Sequence, residues 1–193
     1  MSHGIPFAPR VCILSVNVGQ LTPSRHTSAP AGTAIDKHPA DGSRPARRAP
    51  RKVGLGNDVV GDAIGDQRHH GGDFQAVYAL AREELDWWTG ELGRELGNGI
   101  FGENLTTSGL DVEGAVVGER WVIGDVDGAV VLEVTGPRIP CRTFAGHMGE
   151  RGWVRRFTER GPHSHSPRHR ATARPHSRAK CVFVSAPARA NTH

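Results

Sequence analysis

Cysteine is scarce in this chain. Cys12, Cys141 and Cys181 are the three in 193 residues, and no CxxC occurs. That argues against a disulfide framework and against a structural zinc site. Long apolar runs are missing too. The first, "VCILSVNVG", is too short to span a membrane and lacks a small-residue cleavage site after it. GxSxG, the Walker loop, HExxH and a GxGxxG opening a helix are all absent, so the common enzyme motifs do not apply. These absences predict a protein of a reducing compartment, the cytoplasm, with no membrane partner.

Acid is missing from one region only. Residues 162 to 193 contain six basic residues and no Asp or Glu, and they hold five of the eleven histidines. The formal charge of the whole chain is +4, but positions 1 to 161 hold 18 basic and 20 acidic residues. The basicity therefore belongs to a tail, which also lacks aromatic interleaving. A nucleic-acid partner is not expected. The tail has no Gly, Leu or Ile and cannot bury enough apolar area to offset its ordering entropy. Disorder is predicted there, with "CVFVS" its one strand-like piece and Cys181 an exposed thiol.

The 25 glycines and 13 prolines favour short strands and loops over a helical bundle. Val11 to Val18 reads as a buried strand ended by Gly19, with Cys12 in the core. A short strand is expected near "GTAIDK". Tyr78, Ala81, Leu85, Trp88 and Leu92 fall at spacings of three and four. They predict one helix from about Phe74 to Leu92, capped by Asp73 and stopped at Gly93. "ERWVIGD" and "AVVLEVT" read as a hairpin turning at Asp127-Gly128. "MGERGWVRRFTERG" reads as a short helix.

Four stretches could carry chemistry. "QRHHGGDF" places His69 and His70 where the long helix was expected to open, a setting that suits an anion. "GIFGENLTT" places Glu103 and Asn104 beside a glycine, with threonines following. "AGTAIDK" offers the hydroxyl of Thr33 and the cation of Lys37. "TGPRIPCR" holds Cys141 on a proline-braced loop between Arg138 and Arg142, directly after a strand. Nearby cations favour thiolate, which can serve as nucleophile, persulfide carrier or soft metal ligand. A free cysteine can equally be a small buried hydrophobe.

Taken together, "ILSVNVG", "GTAIDK", "GDQRHHGGDFQAVYALAREELDWW", "IFGENLTTSGLDVEGAVVGERWVIGD" and "VLEVTGPRIPCRTF" resemble, in that order, the MOSC domain family. The family is named for the C-terminal domain of molybdenum cofactor sulfurases. The resemblance covers about residues 11 to 160 and points to the stand-alone bacterial type linked to detoxification of N-hydroxylated bases. It implies a mainly β fold with peripheral helices (α+β), a MOSC-type barrel-like domain over residues 1–161. It also implies a molybdenum–molybdopterin cofactor, with Cys141 as metal ligand or persulfide carrier. Lys37, His70, Asn104 and Arg138 match family motif positions, and Thr33, His69 and Glu103 are added as candidates. The implied activity is reduction of an N-hydroxylated small molecule, with electrons from a separate donor protein. A sulfur-carrier module is the alternative. Pyridoxal phosphate enters only as a family-level association. The tail departs from the family pattern. Its abrupt composition implies out-of-frame translation and a barrel missing an edge element.

Overall fold

The computed structural model describes residues 11–42, 59–72, 74–123 and 130–160 in full, and 182–185 as backbone. Seven strands and three helices follow one another along these residues. They are β1 (Cys12–Gly19), β2 (Lys37–Pro39), β3 (Val77–Ala81), α1 (Arg82–Leu92), β4 (Leu105–Ser108), β5 (Arg120–Ile123), β6 (Val130–Pro137), α2 (Arg142–Met148), α3 (Trp153–Glu159) and β7 (Val182–Ser185). The sheet order is β2-β1-β4-β3-β7-β6-β5. Only β3 and β4 pair in parallel. Among the described residues no pairing joins β5 to β2. The mainly β architecture with a few helices is the one expected, and no described helix is long and apolar enough to cross a membrane.

The long helix begins later than its periodicity predicts. Residues 77 to 81, "VYALA", form β3, and all five are buried. A strand covered on both faces reads as a continuous apolar run, which short sequences share with buried helices. Pairing with β4 and β7 decides for strand. Only Arg82–Leu92 is helical. Its buried face carries Leu85 and Trp88 as expected, and Gly93 closes it at φ 62°. Asp73 lies outside the described residues, as do the turn at Asp127-Gly128 and Cys181. The residue that does cap α1 is Ala81, with no side-chain bond.

Two further expectations are corrected. β1 is half-buried rather than buried, and Cys12 is exposed. The pleat turns alternate residues of β1 outward, and Cys12 sits at its open end. The strand-like piece "CVFVS" of the tail is a strand over residues 182–185, as expected, and the expectation corrected is that of a missing edge element. These residues form β7, bonded to β3 on one side and to β6 on the other. The gap expected in the sheet is therefore filled. The other residues of 162–193 lie outside the described ones.

Two apolar clusters hold the layers. One lies against the sheet around Ala79, Val112, Trp121 and Val134. The other is aromatic and gathers α1, α2 and α3 around Phe101. Phe144 of α2 lies 5.3 Å from Phe101, 5.4 Å from Trp153 and 5.2 Å from Phe157, all edge to face. That geometry suits the ring quadrupoles. α2 was not expected from the sequence. Buried hydrogen bonds join the end of α3 to α1, since Arg160 donates to Glu84 at 2.9 and 3.1 Å and Trp88 Nε1 donates to it at 2.7 Å. Burial and the neighbouring Glu113 push the Glu84 carboxyl up to about 9, against the pull of Arg160 and Trp88.

Phe144 is fully buried at the centre of the aromatic cluster, three residues beyond Cys141. Phe144→Ala will destabilise the fold by about 3–5 kcal/mol, the usual cost of such a cavity. Equilibrium urea denaturation measures it, and a loss below about 1 kcal/mol would contradict the packing described.

Candidate functional site

The strand β6 and the helix α2 meet at Cys141, and that junction places the thiol. Strand geometry ends at Pro137, the "RIP" loop turns the chain, and Cys141 caps α2 in an extended conformation (φ −117°, ψ 173°). Phe144 then pins α2 to the core. The loop of residues 22–33 closes over the other side. Thr143 Oγ1 donates to the carbonyl of His26 at 3.1 Å. Gly146 faces the His26 ring so closely that a Cβ there would lie 2.1 Å from it. A second close approach fixes the floor loop: a Cβ on Gly65 would lie 1.9 Å from the Gly32 carbonyl oxygen.

Cys141 lies on the lining that two adjoining cavities share, an inner and an outer lobe. The inner lobe is about 110 Å³ and is walled by Thr33, Lys37, Asp62, Tyr78 and Asn104. The outer lobe is about 500 Å³ and is walled by His26, His69, Ile139 and Arg142. His70, Gln75, Arg138 and Cys141 border both. Segments far apart in the sequence are thus brought together in one place, as in the Thr143–His26 contact across 117 positions.

The Cys141 thiol is poised for ionisation. Burial opposes the charge. A hydrogen bond from His70, the positive charge of Arg138 and the backbone N–H of Phe144 outweigh it and bring the pKa down to about 6. Arg138 Nη2 lies 3.9 Å from the sulfur. The same guanidinium lies over the rings of Tyr78 and Phe144 at 5.7 and 6.0 Å, which fixes its plane.

The inner floor is a buried hydrogen-bond network. Lys37 Nζ is paired with both oxygens of Asp62, whose side chain is wholly buried. Burial drives the Lys37 pKa down, and the Asp62 charge only partly restores it. Asp62 also accepts from Gly19 N and from Asn104 Nδ2, each at 2.7 Å. The second amide hydrogen of Asn104 goes to the Asn17 carbonyl at 3.3 Å, and its Oδ1 accepts from Tyr78 N at 3.2 Å. Asn104 braces the floor, with its amide hydrogens spent inside the protein.

Of the predicted residues, Cys141, Thr33, Lys37, His70, Asn104 and Arg138 come together around the cavity, and His69 joins them at the outer lobe. His69 Nδ1 is 2.9 Å from Asp66 Oδ2, on the exposed rim. Glu103 is not a lining residue. Its carboxylate is fully buried, receives the N–H groups of Gly99 and Phe101 and the hydroxyl of Thr106, and is pushed up to about 7 by that burial. The helix-start argument for His69 and His70 does not hold, because α1 begins at Arg82 and the "HHGG" loop enters β3 instead. Asp62 and Gln75 were missed. Asp62 sits in a glycine-rich stretch that reads only as turns, and no local signal separates it from Asp58 or Asp66. Gln75 Oε1 is buried at the cavity and has no hydrogen-bond partner among the described residues.

The family model for the MOSC domain matches residues 66–178. The uncharacterized protein YflK of Bacillus subtilis (strain 168) is 32% identical over 152 residues, covering 79% of this chain and 63% of that protein. Protein YiiM of Escherichia coli (strain K12) is 31% identical over 95 residues, covering 47% of this chain and 40% of that one. The chain thus spans less than two thirds of either relative. The crystal structure of YiiM from Geobacillus stearothermophilus superposes with a TM-score of 0.54 at 20% identity, over 91% of this chain and 67% of that one. That likeness shows the fold.

A thiol with its pKa lowered to about 6 reacts as thiolate above that pH. Alkylation of Cys141 by iodoacetamide, resolved from Cys12 and Cys181 by peptide mass spectrometry, will rise with pH and reach half its plateau near 6. Arg138→Ala will move that midpoint upward. A midpoint in the range of a free thiol in the unmutated protein would show that the cation and His70 do not act on the sulfur.

Proposed function

Because this chain belongs to the MOSC domain family, we propose that its cavity binds a molybdenum–molybdopterin cofactor and that it reduces N-hydroxylated small molecules. The observation that carries the reading is the Cys141 thiol, brought down to about 6 at the junction of two lobes, with Arg138 beside it. A lowered thiol pKa gives the soft anionic donor that molybdenum takes.

The residues present fit the group. Among the described residues no three His, Cys, Asp or Glu side chains converge as a metal site. That suits a metal carried in by a chelating cofactor. The pterin presents N–H donors, and the buried Gln75 Oε1 is an acceptor in want of one. Its phosphate is anionic, and Arg138 and His70 border both lobes. When bound, such a cofactor would supply the two-electron redox chemistry that reduction of an N–OH group needs.

The chain's own residues do the rest. Cys141 would hold the metal through its sulfur. Arg138 and His70 keep its sulfur ionised. The outer lobe, with Pro137, Ile139 and Pro140 on one wall and His26 and His69 on the other, receives the substrate. The electrons would come from a separate donor protein. A reducing compartment such as the cytoplasm would keep Cys141 a free thiol. Nothing at the site speaks for pyridoxal phosphate.

Elemental analysis of protein made in a cofactor-competent host tests this. Stoichiometric molybdenum is expected, lost in Cys141→Ser, together with reduction of an N-hydroxylated base by the loaded protein. A well-folded protein without molybdenum would overturn the reading and leave a persulfide on Cys141 as the function to assay.

A further inference from the structure

Asp62 belongs to no motif singled out in the sequence, yet its carboxylate is the most heavily used acceptor in the cavity wall. Its side chain is wholly buried. It takes Lys37 Nζ on both oxygens, Gly19 N on Oδ1 and Asn104 Nδ2 on Oδ2. These donors come from the end of β1, from β2 and from the segment before β4. No backbone ladder joins the loop of residues 59–66 to Lys37 or Asn104. One side chain on that loop reaches both.

We propose that Asp62 is a positioning residue of the cavity, orienting Lys37 so that a single N–H of its ammonium is presented to the bound ligand. An ammonium has three N–H donors and no fixed direction of its own. Two are taken by Asp62, and the third is the one the inner lobe can use. Without that carboxylate the ammonium would rotate freely in a wall that also holds Asn104. It would also lose its charge partner inside the protein, where an uncompensated cation is costly. Burial already lowers the Lys37 pKa, Arg138 adds to that, and Asp62 and Glu103 oppose it. Removal of Asp62 therefore favours the neutral amine. The ligand class this arrangement takes is a polar group with an acceptor atom, met by a directed donor. The Asn104 amide cannot substitute, since both its hydrogens are spent on Asp62 and Asn17.

The positional claim stands on geometry alone. Its bearing on cofactor retention rests on the reading given under Proposed function. The test uses the full chain labelled with 15N at lysine. The chain has three lysines, Lys37, Lys52 and Lys180, so Lys52→Arg and Lys180→Arg assign the Lys37 Nζ signal by elimination. In the unmutated protein that signal is expected to be protected from solvent exchange. In Asp62→Asn, which keeps the shape, it will lose protection and titrate at lower pH. Molybdenum content will fall by about tenfold or more, the usual cost of removing a supporting partner, while the circular dichroism stays unchanged. Identical Lys37 exchange and titration in both proteins would overturn the proposal. If Asp62→Asn does not fold, the unmutated protein still decides, because free-lysine exchange at Lys37 contradicts the pairing. If the unmutated protein carries no molybdenum, the cofactor reading fails and the Lys37 signal still answers for Asp62.

Discussion

The carboxamide of Asn104 bonds to three separate stretches of chain, and the inner half of the site hangs on it. It gives one hydrogen to the Asn17 carbonyl in β1 and one to Asp62, and it accepts the N–H of Tyr78 in β3. Its backbone continues the pattern, with Asn17 N donating to its carbonyl at 2.7 Å and its own N–H reaching the Tyr78 carbonyl at 2.8 Å. A buried amide whose groups are all met in this way admits few alternative arrangements. The position of Asp62, and through it of Lys37, follows from that constraint. Glu103 and Thr106 complete the network beneath, joined to Asn17 Nδ2.

The outer half obeys a different rule. Cys141, Arg138 and His70 are arranged by packing and by a loop held at both ends. Phe144 anchors α2 on one side, and β6 fixes the chain on the other. The inner lobe is therefore built from polar satisfaction and the outer one from apolar anchoring. Cys141 belongs to both, which is why its environment combines a desolvating wall with charged neighbours.

Much of this was legible in the sequence, for physical reasons. The hairpin strands β5 and β6 announced themselves by β-branched residues, and the loop after β6 by its prolines. Arg138 and Arg142 marked Cys141 because charge acts on a thiol locally. Order along the chain brought Lys37, His70 and Asn104 into one family pattern. What failed did so where tertiary contacts decide. "VYALA" satisfies helical spacing and strand burial alike, and only the neighbours β4 and β7 choose between them. Asp62 is written no differently from other aspartates nearby, since its role comes from partners far away in the chain. Glu103 read as a ligand-facing group because it stands with Asn104 beside a glycine, whereas its carboxylate is turned inward onto Gly99, Phe101 and Thr106. "CVFVS" did mark β7 within the tail, but its place between β3 and β6 is set by backbone pairing alone.

The place of β7 in the sheet order has a consequence for how the molecule comes into being. Strands β2, β1, β4 and β3 form one ribbon, β6 and β5 another, and β7 is the seam between them. A chain emerging from the ribosome can assemble both ribbons while the seam is still unmade. During that interval the strand that leads to Cys141 has no backbone bond to the ribbon that carries Lys37. Contacts of such long sequence separation form late and slowly. The thiol and the floor of its cavity are therefore joined through the sheet only when the seam is laid, and a nascent chain interrupted before residue 182 would hold the two ribbons together by side-chain packing, with no backbone ladder between them.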